Sequence, residues 1–229
     1  MKAGESLDTV ARAVQSAGRS AEPIHDLVRA ALSGLNLNGR ETCVDVGCGA
    51  GDLARSLAPR FGSYVGADVM RYESFPETIR FVEVDLDRGR VALEDEYADV
   101  VVCVETIEHV ENPRALVREL TRLTRPGGAV LVTTPNQLSL HSKLGLLLRN
   151  EFPHFQQAPG LYPAHISALL EIDLERMLRE CGLVDIEVRY SSSGRIPFTD
   201  RYWPSFLSAH TGRRARAFSD NVLVLGRKP

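Results

Sequence analysis

The chain has 229 residues and a formal net charge of −3, with 44% hydrophobic and 25% charged residues. A chain of this length can form a single α/β domain with a substantial core, and its composition is ordinary for a soluble globular protein. The charge gives no overall attraction to nucleic acid or to an anionic membrane surface. Four cysteines without a C-x-x-C pair, no apolar signal core and no apolar run of membrane-spanning length predict a cytoplasmic protein without a membrane span.

The predicted elements begin with two amphipathic helices over residues 5–18 and 21–34, which could cap a pocket or pair two subunits in a homodimer. Strands and helices alternate after them. The predicted strands are apolar and rich in β-branched residues, and they cover residues 42–46, 64–67, 80–84, 99–104 and 129–133. The helices predicted between them cover residues 51–60, 74–78 and 112–124. A loop-rich segment over 135–168, a helix over 169–181 and two late strands over 183–190 and 221–225 complete the chain.

This alternation predicts a single α/β domain over residues 1–229, built on a doubly wound, mostly parallel sheet. In such sheets the ligand binds at the carboxyl ends of the strands. Loops at that edge define the substrate, so we expect the segments 135–168 and 191–217 to cover the acceptor.

The most informative motif follows the first predicted strand, where Gly47, Gly49 and Gly51 alternate with Cys48 and an alanine. Glycines leave no Cβ atoms in a tight turn. The dinucleotide fingerprint G-x-G-x-x-G needs its third glycine one residue later. Asp45 would also repel a pyrophosphate, whereas it suits a cationic ligand such as S-adenosylmethionine (SAM). An NAD-linked enzyme is therefore the less favoured alternative.

At these residues the sequence resembles the class I SAM-dependent methyltransferases, whose first motif reads acidic-x-G-x-G-x-G. The resemblance implies a Rossmann-like fold with seven strands, of which the last is antiparallel, and SAM as cofactor. An acidic residue after the second strand, Asp68, could bind the ribose hydroxyls, or it could simply cap a helix. The resemblance places Asp85 and Leu86 against the adenine. The complete predicted cofactor set is Asp45, Gly47, Cys48, Gly49, Gly51, Asp68, Val69, Asp85, Leu86 and Glu105.

A second constellation follows the fourth strand, where Glu105, Glu108 and His109 stand at positions i, i+3 and i+4. One helical turn would place all three on one face. Two adjacent carboxylates repel each other unless a cation or a proton lies between them, so the trio is a plausible divalent-metal shell. A fourth ligand would come from a distant histidine, for which we choose His165 before His154 and His141.

From residue 40 to residue 185 the chain resembles two related groups, the ubiquinone-biosynthesis O-methyltransferases and the small-RNA 2′-O-methyltransferases. The shared motifs are E-x-x-E-H after the fourth strand, P-G-G before the fifth, and T-P-N after it. The resemblance implies a metal on Glu105, Glu108, His109 and His165. In metal-free relatives, the histidine lines the acceptor pocket instead. His109 faces the acceptor in either reading, so we predict His109, with Glu108, as the catalytic residues.

These features predict an O-methyltransferase that uses SAM, and Mg²⁺ or another divalent cation, to methylate a hydroxyl of a small phenolic, catechol-like or sugar metabolite. One alternative is an RNA 2′-O-methyltransferase, which the mild negative charge disfavours. Another is a non-catalytic SAM-binding regulator, which would have no use for the cluster around His109. We expect a small-molecule acceptor and no nucleic-acid partner.

Overall fold

The centre of the molecule is a seven-stranded sheet in a computed structural model that describes residues 9–158, 161–208 and 213–229. The strands are β1 Thr42–Val46, β2 Ser63–Asp68, β3 Arg80–Glu83, β4 Ala98–Cys103, β5 Thr124–Pro135, β6 Val184–Tyr190 and β7 Asn221–Arg227. Their order is β3-β2-β1-β4-β5-β7-β6. Strand β7 is antiparallel to both β5 and β6, and the other pairs are parallel. The predicted doubly wound sheet with an antiparallel last strand is confirmed.

Helices cover both faces of this sheet. They are α1 Thr9–Ser16, α2 Glu22–Leu32, α3 Asp52–Leu57, α4 Pro113–Leu123, α5 Leu140–Arg149, α6 Glu171–Glu180, α7 Ser205–Ser208 and α8 Arg213–Ala217. Short 3-10 turns occupy Ala58–Arg60, Ile107–His109 and Pro153–Phe155. None of the helices in the described ranges is long and apolar enough to cross a membrane. Residues 5–8 of the first predicted helix lie outside the described residues.

Two of the element predictions were wrong. The segment 74–78 is not a helix but a pair of turns, closed by bonds from Phe75 N to Tyr72 O and from Ile79 N to Pro76 O. Pro76 has no N–H to continue a helix, and Phe75 is instead buried against Phe81. The segment predicted to be loop-rich contains α5.

The core consists of two apolar layers, one on each face of the sheet. Leucines of α4 and α6 pack on one face, and leucines of α2 and α3 pack on the other. Strands β1 and β4 lie between the layers and are buried along almost their whole length. Burial on both faces explains why these strands are continuous apolar runs, and it fixes which strand ends meet at the carboxyl edge.

The N-terminal segment crosses that carboxyl edge and closes one side of it. Arg12 of α1 forms a buried ion pair of 2.6 Å with Asp87, whose other carboxylate oxygen accepts a hydrogen bond from the N–H of Glu111. The hydroxyl of Tyr72 donates to the carbonyl of Ala13 over 2.8 Å. Helix α1 is therefore a cap over the edge, which is one of the two roles that the sequence left open.

Candidate active site

A cavity of about 550 Å³ lies at the carboxyl ends of β1, β2 and β4. Its walls are α1 and the residues after it, the glycine loop, the segment after β4, two histidines of the 135–168 segment, and residues 193–202. The volume falls within the range of about 300–1,000 Å³ that is usual for small-molecule sites. The predicted covering segments both contribute to it.

The glycine loop after β1 is packed against the chain itself. All three glycines have positive φ angles, of 79°, 52° and 79° at Gly47, Gly49 and Gly51. A Cβ on Gly47 would lie 2.0 Å from Thr106 Oγ1, and one on Gly49 would lie 2.1 Å from the carbonyl oxygen of Gly18. The glycines are therefore required by backbone conformation and by the chain's own close contacts. Gly51 packs on Pro76 and does not line the cavity.

The loop also uses its own N–H groups internally. The amides of Gly47 and Cys48 donate to Ala67 O, and that of Gly49 donates to Asp68 Oδ2. Ala50 N donates to Gly18 O, and Gly51 N to Cys48 O. A pyrophosphate is normally bound by free loop amides at a helix N-terminus, whereas the amides of residues 47–51 all have partners within the chain. The geometry disfavours a dinucleotide.

Asp45 gives the cavity an acidic floor. Its side chain is 1% exposed, accepts a hydrogen bond of 2.8 Å from the hydroxyl of Tyr64, and lines the cavity. Burial raises the pKa of Asp45 to about 7, and the nearby charge of Asp68 adds to the rise. A bound cation would favour the ionised carboxylate, so the residue fits a ligand with an ammonium or sulfonium group.

The other predicted cofactor residues divide into two groups. Asp68 lies on the cavity wall, where its two oxygens accept from Gly49 N at 2.8 Å and Val69 N at 2.7 Å. Val69, Leu86 and Cys48 line the cavity as well. Asp85 does not: it accepts from the amide of its neighbour Asp87 and faces Arg88 at 3.6 Å. The structure therefore brings the apolar partner Leu86 to the cavity but not the predicted carboxylate.

Glu105 also departs from its predicted position. It has a left-handed φ of 49°, and the 3-10 turn begins only at Ile107, so the predicted single helical turn over the trio was wrong. Its carboxylate lies on the cavity wall and accepts from Thr133 Oγ1 at 2.9 Å and Asn221 Nδ2 at 3.0 Å. Both oxygens are thus held by the sheet, and burial raises the pKa of this carboxyl to about 7.

Three of the four predicted metal-ligating residues do come together. Glu108, His109 and His165 place one potential ligand atom each within 4.8 Å of one another. The Nδ1 of His109 lies 2.9 Å from Ala164 O, and the Nδ1 of His165 lies 2.7 Å from a backbone carbonyl. A carbonyl can only accept, so both Nδ1 atoms carry the proton and both Nε2 atoms keep a lone pair.

The charge state of this cluster follows from its burial. Burial lowers the pKa of His109 to about 4, with a contribution from His165, so His109 is neutral at physiological pH. Burial and the charge of Glu105 raise the pKa of Glu108 well above its ordinary value. One oxygen of Glu108 accepts from Thr134, while the other is buried without a partner among the described residues. A carboxylate with such an orphaned oxygen, grouped with two imidazoles, fits a divalent cation.

The remaining histidines lie next to the cluster. The His154 carbonyl accepts from His165, and the rings of His141 and His154 are 6.4 Å apart. Neither belongs to the close group of ligand atoms. Sequence reasoning also missed several cavity residues that no motif marks: Arg12, Tyr72, Thr106, Arg195, Tyr202 and Asp220.

Comparison with known proteins identifies the class to which this fold and cavity belong. The family described as a methyltransferase domain matches residues 16–188, which is more than half of the chain. The protein belongs to this family and is a SAM-dependent methyltransferase.

Its relatives include enzymes with a more specific name. The chain is 29% identical over 179 residues to the ubiquinone biosynthesis O-methyltransferase of Burkholderia pseudomallei. This alignment covers 73% of this chain and 76% of the relative. The enzyme of the same name from Leptothrix cholodnii is 29% identical over 196 residues, or 81% and 77% of the two chains. A SAM-dependent methyltransferase structure from Archaeoglobus fulgidus shares the fold, with a TM-score of 0.62 at 16% identity over 89% of this chain and 94% of that one.

Proposed function

We propose that the protein transfers the methyl group of SAM to a hydroxyl oxygen of a small metabolite, either a phenolic, catechol-like ring or a sugar. The observation that carries this proposal is the fixed tautomer of His109. Its Nδ1–H is held by the Ala164 carbonyl, and its ring lines the cavity with Nε2 unprotonated. The names of the related O-methyltransferases support an oxygen acceptor.

The two ends of the cavity would have different tasks. Asp45 would hold the positively charged part of SAM, Asp68 its ribose, and Leu86 would pack against the adenine. These residues would fix the methyl group relative to the histidines, because alignment of an activated electrophile with its acceptor can lower a barrier by about 7–11 kcal/mol. His109, neutral at physiological pH, would accept the proton of the acceptor hydroxyl through Nε2.

Glu108, His109 and His165 would also be the residues that hold a divalent cation. A bound cation would lower the pKa of the acceptor hydroxyl. Two imidazole nitrogens and one carboxylate suit Mn²⁺, Zn²⁺ or a similar ion better than Mg²⁺, which prefers oxygen ligands. With Nε2 engaged as a ligand, His109 could not be the base through the same nitrogen. Glu105 stays outside this set because it does not belong to the close group of ligand atoms, and Thr133 and Asn221 hold its carboxylate in another place.

Substitution at His109 tests the methyl-transfer proposal. We expect His109→Ala to lower transfer from labelled SAM to a hydroxylated acceptor by about 10²–10⁴-fold, as for loss of a general base. The affinity for S-adenosylhomocysteine (SAH), measured by calorimetry, should stay nearly unchanged. His141→Ala is the matched control, since this histidine is outside the cluster. If wild-type protein binds SAH but methylates no hydroxyl in a panel of catechols and sugars, the proposal is wrong.

The metal proposal has its own test, which does not depend on turnover. Calorimetry with Mn²⁺, Zn²⁺ and Mg²⁺ on SAH-saturated protein should show binding that Glu108→Gln and His165→Ala abolish. Glu105→Gln should retain it, because that carboxylate is not one of the three ligands. An absence of heat with every ion would refute the metal site, and loss of binding in Glu105→Gln would restore a four-ligand set.

A further inference from the structure

The part of the cavity wall formed by residues 193–202 contains an arginine without an ion pair among the described residues. Arg195 lines the cavity, and within the described residues its guanidinium forms no ion pair and no hydrogen bond. The other two arginines on the cavity wall have carboxylate partners: Arg12 pairs with Asp87 at 2.6 Å, and Arg19 lies 4.0 Å from Asp52. Arg195 thus has no carboxylate partner of the kind that Arg12 and Arg19 have.

Several contacts hold the backbone of Arg195 in place. Its amide donates to both carboxylate oxygens of Asp220, at 3.0 and 3.1 Å. The preceding Gly194 packs so closely on the carbonyl of Phe218 that a Cβ there would lie 2.1 Å from the oxygen. A bridge pairs Arg195 with Tyr202, which also lines the cavity. The guanidinium is therefore presented from a fixed point on the cavity wall.

Three titratable groups, Asp220, His141 and His154, lie close enough to interact with the charge of Arg195. Burial raises the pKa of Asp220, and the positive charge of Arg195 opposes that rise, but both oxygens of Asp220 accept from the backbone amide of Arg195 and neither forms an ion pair with its guanidinium. Burial lowers the pKa of His141, and the positive charge of Arg195 contributes to the lowering. A cavity arginine whose guanidinium forms no hydrogen bond among the described residues suits a planar anion such as a carboxylate, which its fork of N–H groups can bind in two places at once.

We propose that Arg195 binds an anionic group of the methyl acceptor, so that the enzyme selects hydroxylated acids over their neutral analogues. The proposal rests on the proposed function only in assuming that the molecule bound there is the acceptor. The carboxylate binds at Arg195, on the same wall as Tyr202, while a hydroxyl of the same molecule lies at His109. In this proposal Arg195 takes no part in cofactor binding.

Two matched pairs of compounds test this selectivity on SAH-saturated protein by calorimetry. The pairs are 3,4-dihydroxybenzoate with 3,4-dihydroxybenzamide, and glucuronate with glucose. In at least one pair the acid should bind about tenfold more tightly, as expected for a hydrogen bond between charged groups. Arg195→Gln should remove that preference, and Arg195→Lys should keep part of it. Arg201→Gln is the control, because Arg201 lies in the same segment but does not line the cavity.

The outcomes separate this proposal from the proposed function. Equal binding within both pairs, or a preference that persists in Arg195→Gln, would overturn the role of Arg195. Methylation of the same four compounds is measured separately with labelled SAM. Preferential binding of the acid through Arg195 without methylation of any hydroxyl would leave the anion site standing and refute the methyl-transfer proposal. Methylation without any preference for the acid would refute the anion site alone.

Discussion

Asp45→Asn should stabilise the cofactor-free protein and weaken its binding of SAM. The carboxylate is 1% exposed, and its pKa of about 7 compares with an ordinary value of 3.8 for an aspartate side chain. Because the folded state disfavours ionisation, the protonated carboxyl makes its full contribution to the free energy of unfolding below about pH 3.8. This contribution decreases as the pH rises and is lost once the pH has passed 7. Each unit of difference between the two pKa values corresponds to about 1.4 kcal/mol, so the whole loss of stability amounts to about 4 kcal/mol.

An asparagine has no charge to bury, so the variant should escape this loss. In urea denaturation without cofactor, the advantage of Asp45→Asn over wild type should grow by about 3 kcal/mol between about pH 5 and pH 8. Tyr64→Phe is the control: its hydroxyl lowers the pKa of Asp45, so the variant keeps the carboxyl but should move the pH dependence to higher pH.

Binding of the cofactor should change in the opposite direction. SAM carries an ammonium group that favours the ionised carboxylate, so wild-type affinity should rise between about pH 5.5 and pH 7.5. Asp45→Asn should bind SAM about tenfold to a hundredfold more weakly, with a flat pH profile over that interval. A variant that gains no stability at high pH would refute the raised pKa of Asp45. One that binds SAM as tightly as wild type would refute the assignment of Asp45 as the partner of the cationic cofactor.

Two further predictions concern the cap and the glycine loop. Arg12→Gln breaks the buried ion pair that holds α1 to Asp87. Labelled SAH should then dissociate about tenfold faster in a rapid-mixing displacement assay. An unchanged rate would show that the ion pair does not slow the release of the nucleoside. Gly49→Ala places a Cβ 2.1 Å from the carbonyl oxygen of Gly18, whereas a Cβ at Gly39 would have no neighbouring atom within 4 Å. In urea denaturation, Gly49→Ala should therefore lower the free energy of unfolding more than Gly39→Ala. Both glycines have positive φ angles that cost an alanine about 1–2 kcal/mol, so the excess loss measures the clash. Equal losses would show that the turn after α1, which contains Gly18, moves aside freely.

The centre of the sheet could be predicted from the sequence because strands such as β1 and β4 are buried on both faces and are therefore almost uniformly apolar. Helix α5 could not, since its apolar residues do not mark a buried face. Leu147 is 74% exposed and Leu148 is 64% exposed, whereas the buried positions are Ser142 and Gly145. Where the apolar pattern and burial disagree in this way, periodicity gives no reliable indication of a helix.

The site residues that could be predicted are those that lie in sequence motifs at or near the carboxyl ends of strands. Asp45, Asp68 and His109, which were predicted on that basis, all line the cavity. The orientation of Glu105 could not be foreseen, because the amide that holds one of its oxygens belongs to Asn221, 116 residues further along the chain. The same holds for Arg195, whose place on the cavity wall depends on tertiary packing and on no local motif.

Asp87 gives the closed cap a thermodynamic consequence. One oxygen of this carboxylate holds α1, and the other holds the amide of Glu111, at the end of the segment that carries His109. A displacement of α1 that admits the nucleoside would take the positive charge of Arg12 away from Asp87 while the same carboxylate still holds the amide of Glu111. A shared carboxylate of this kind couples two walls of the cavity, so the affinity for the acceptor should depend on whether SAM is bound beneath α1.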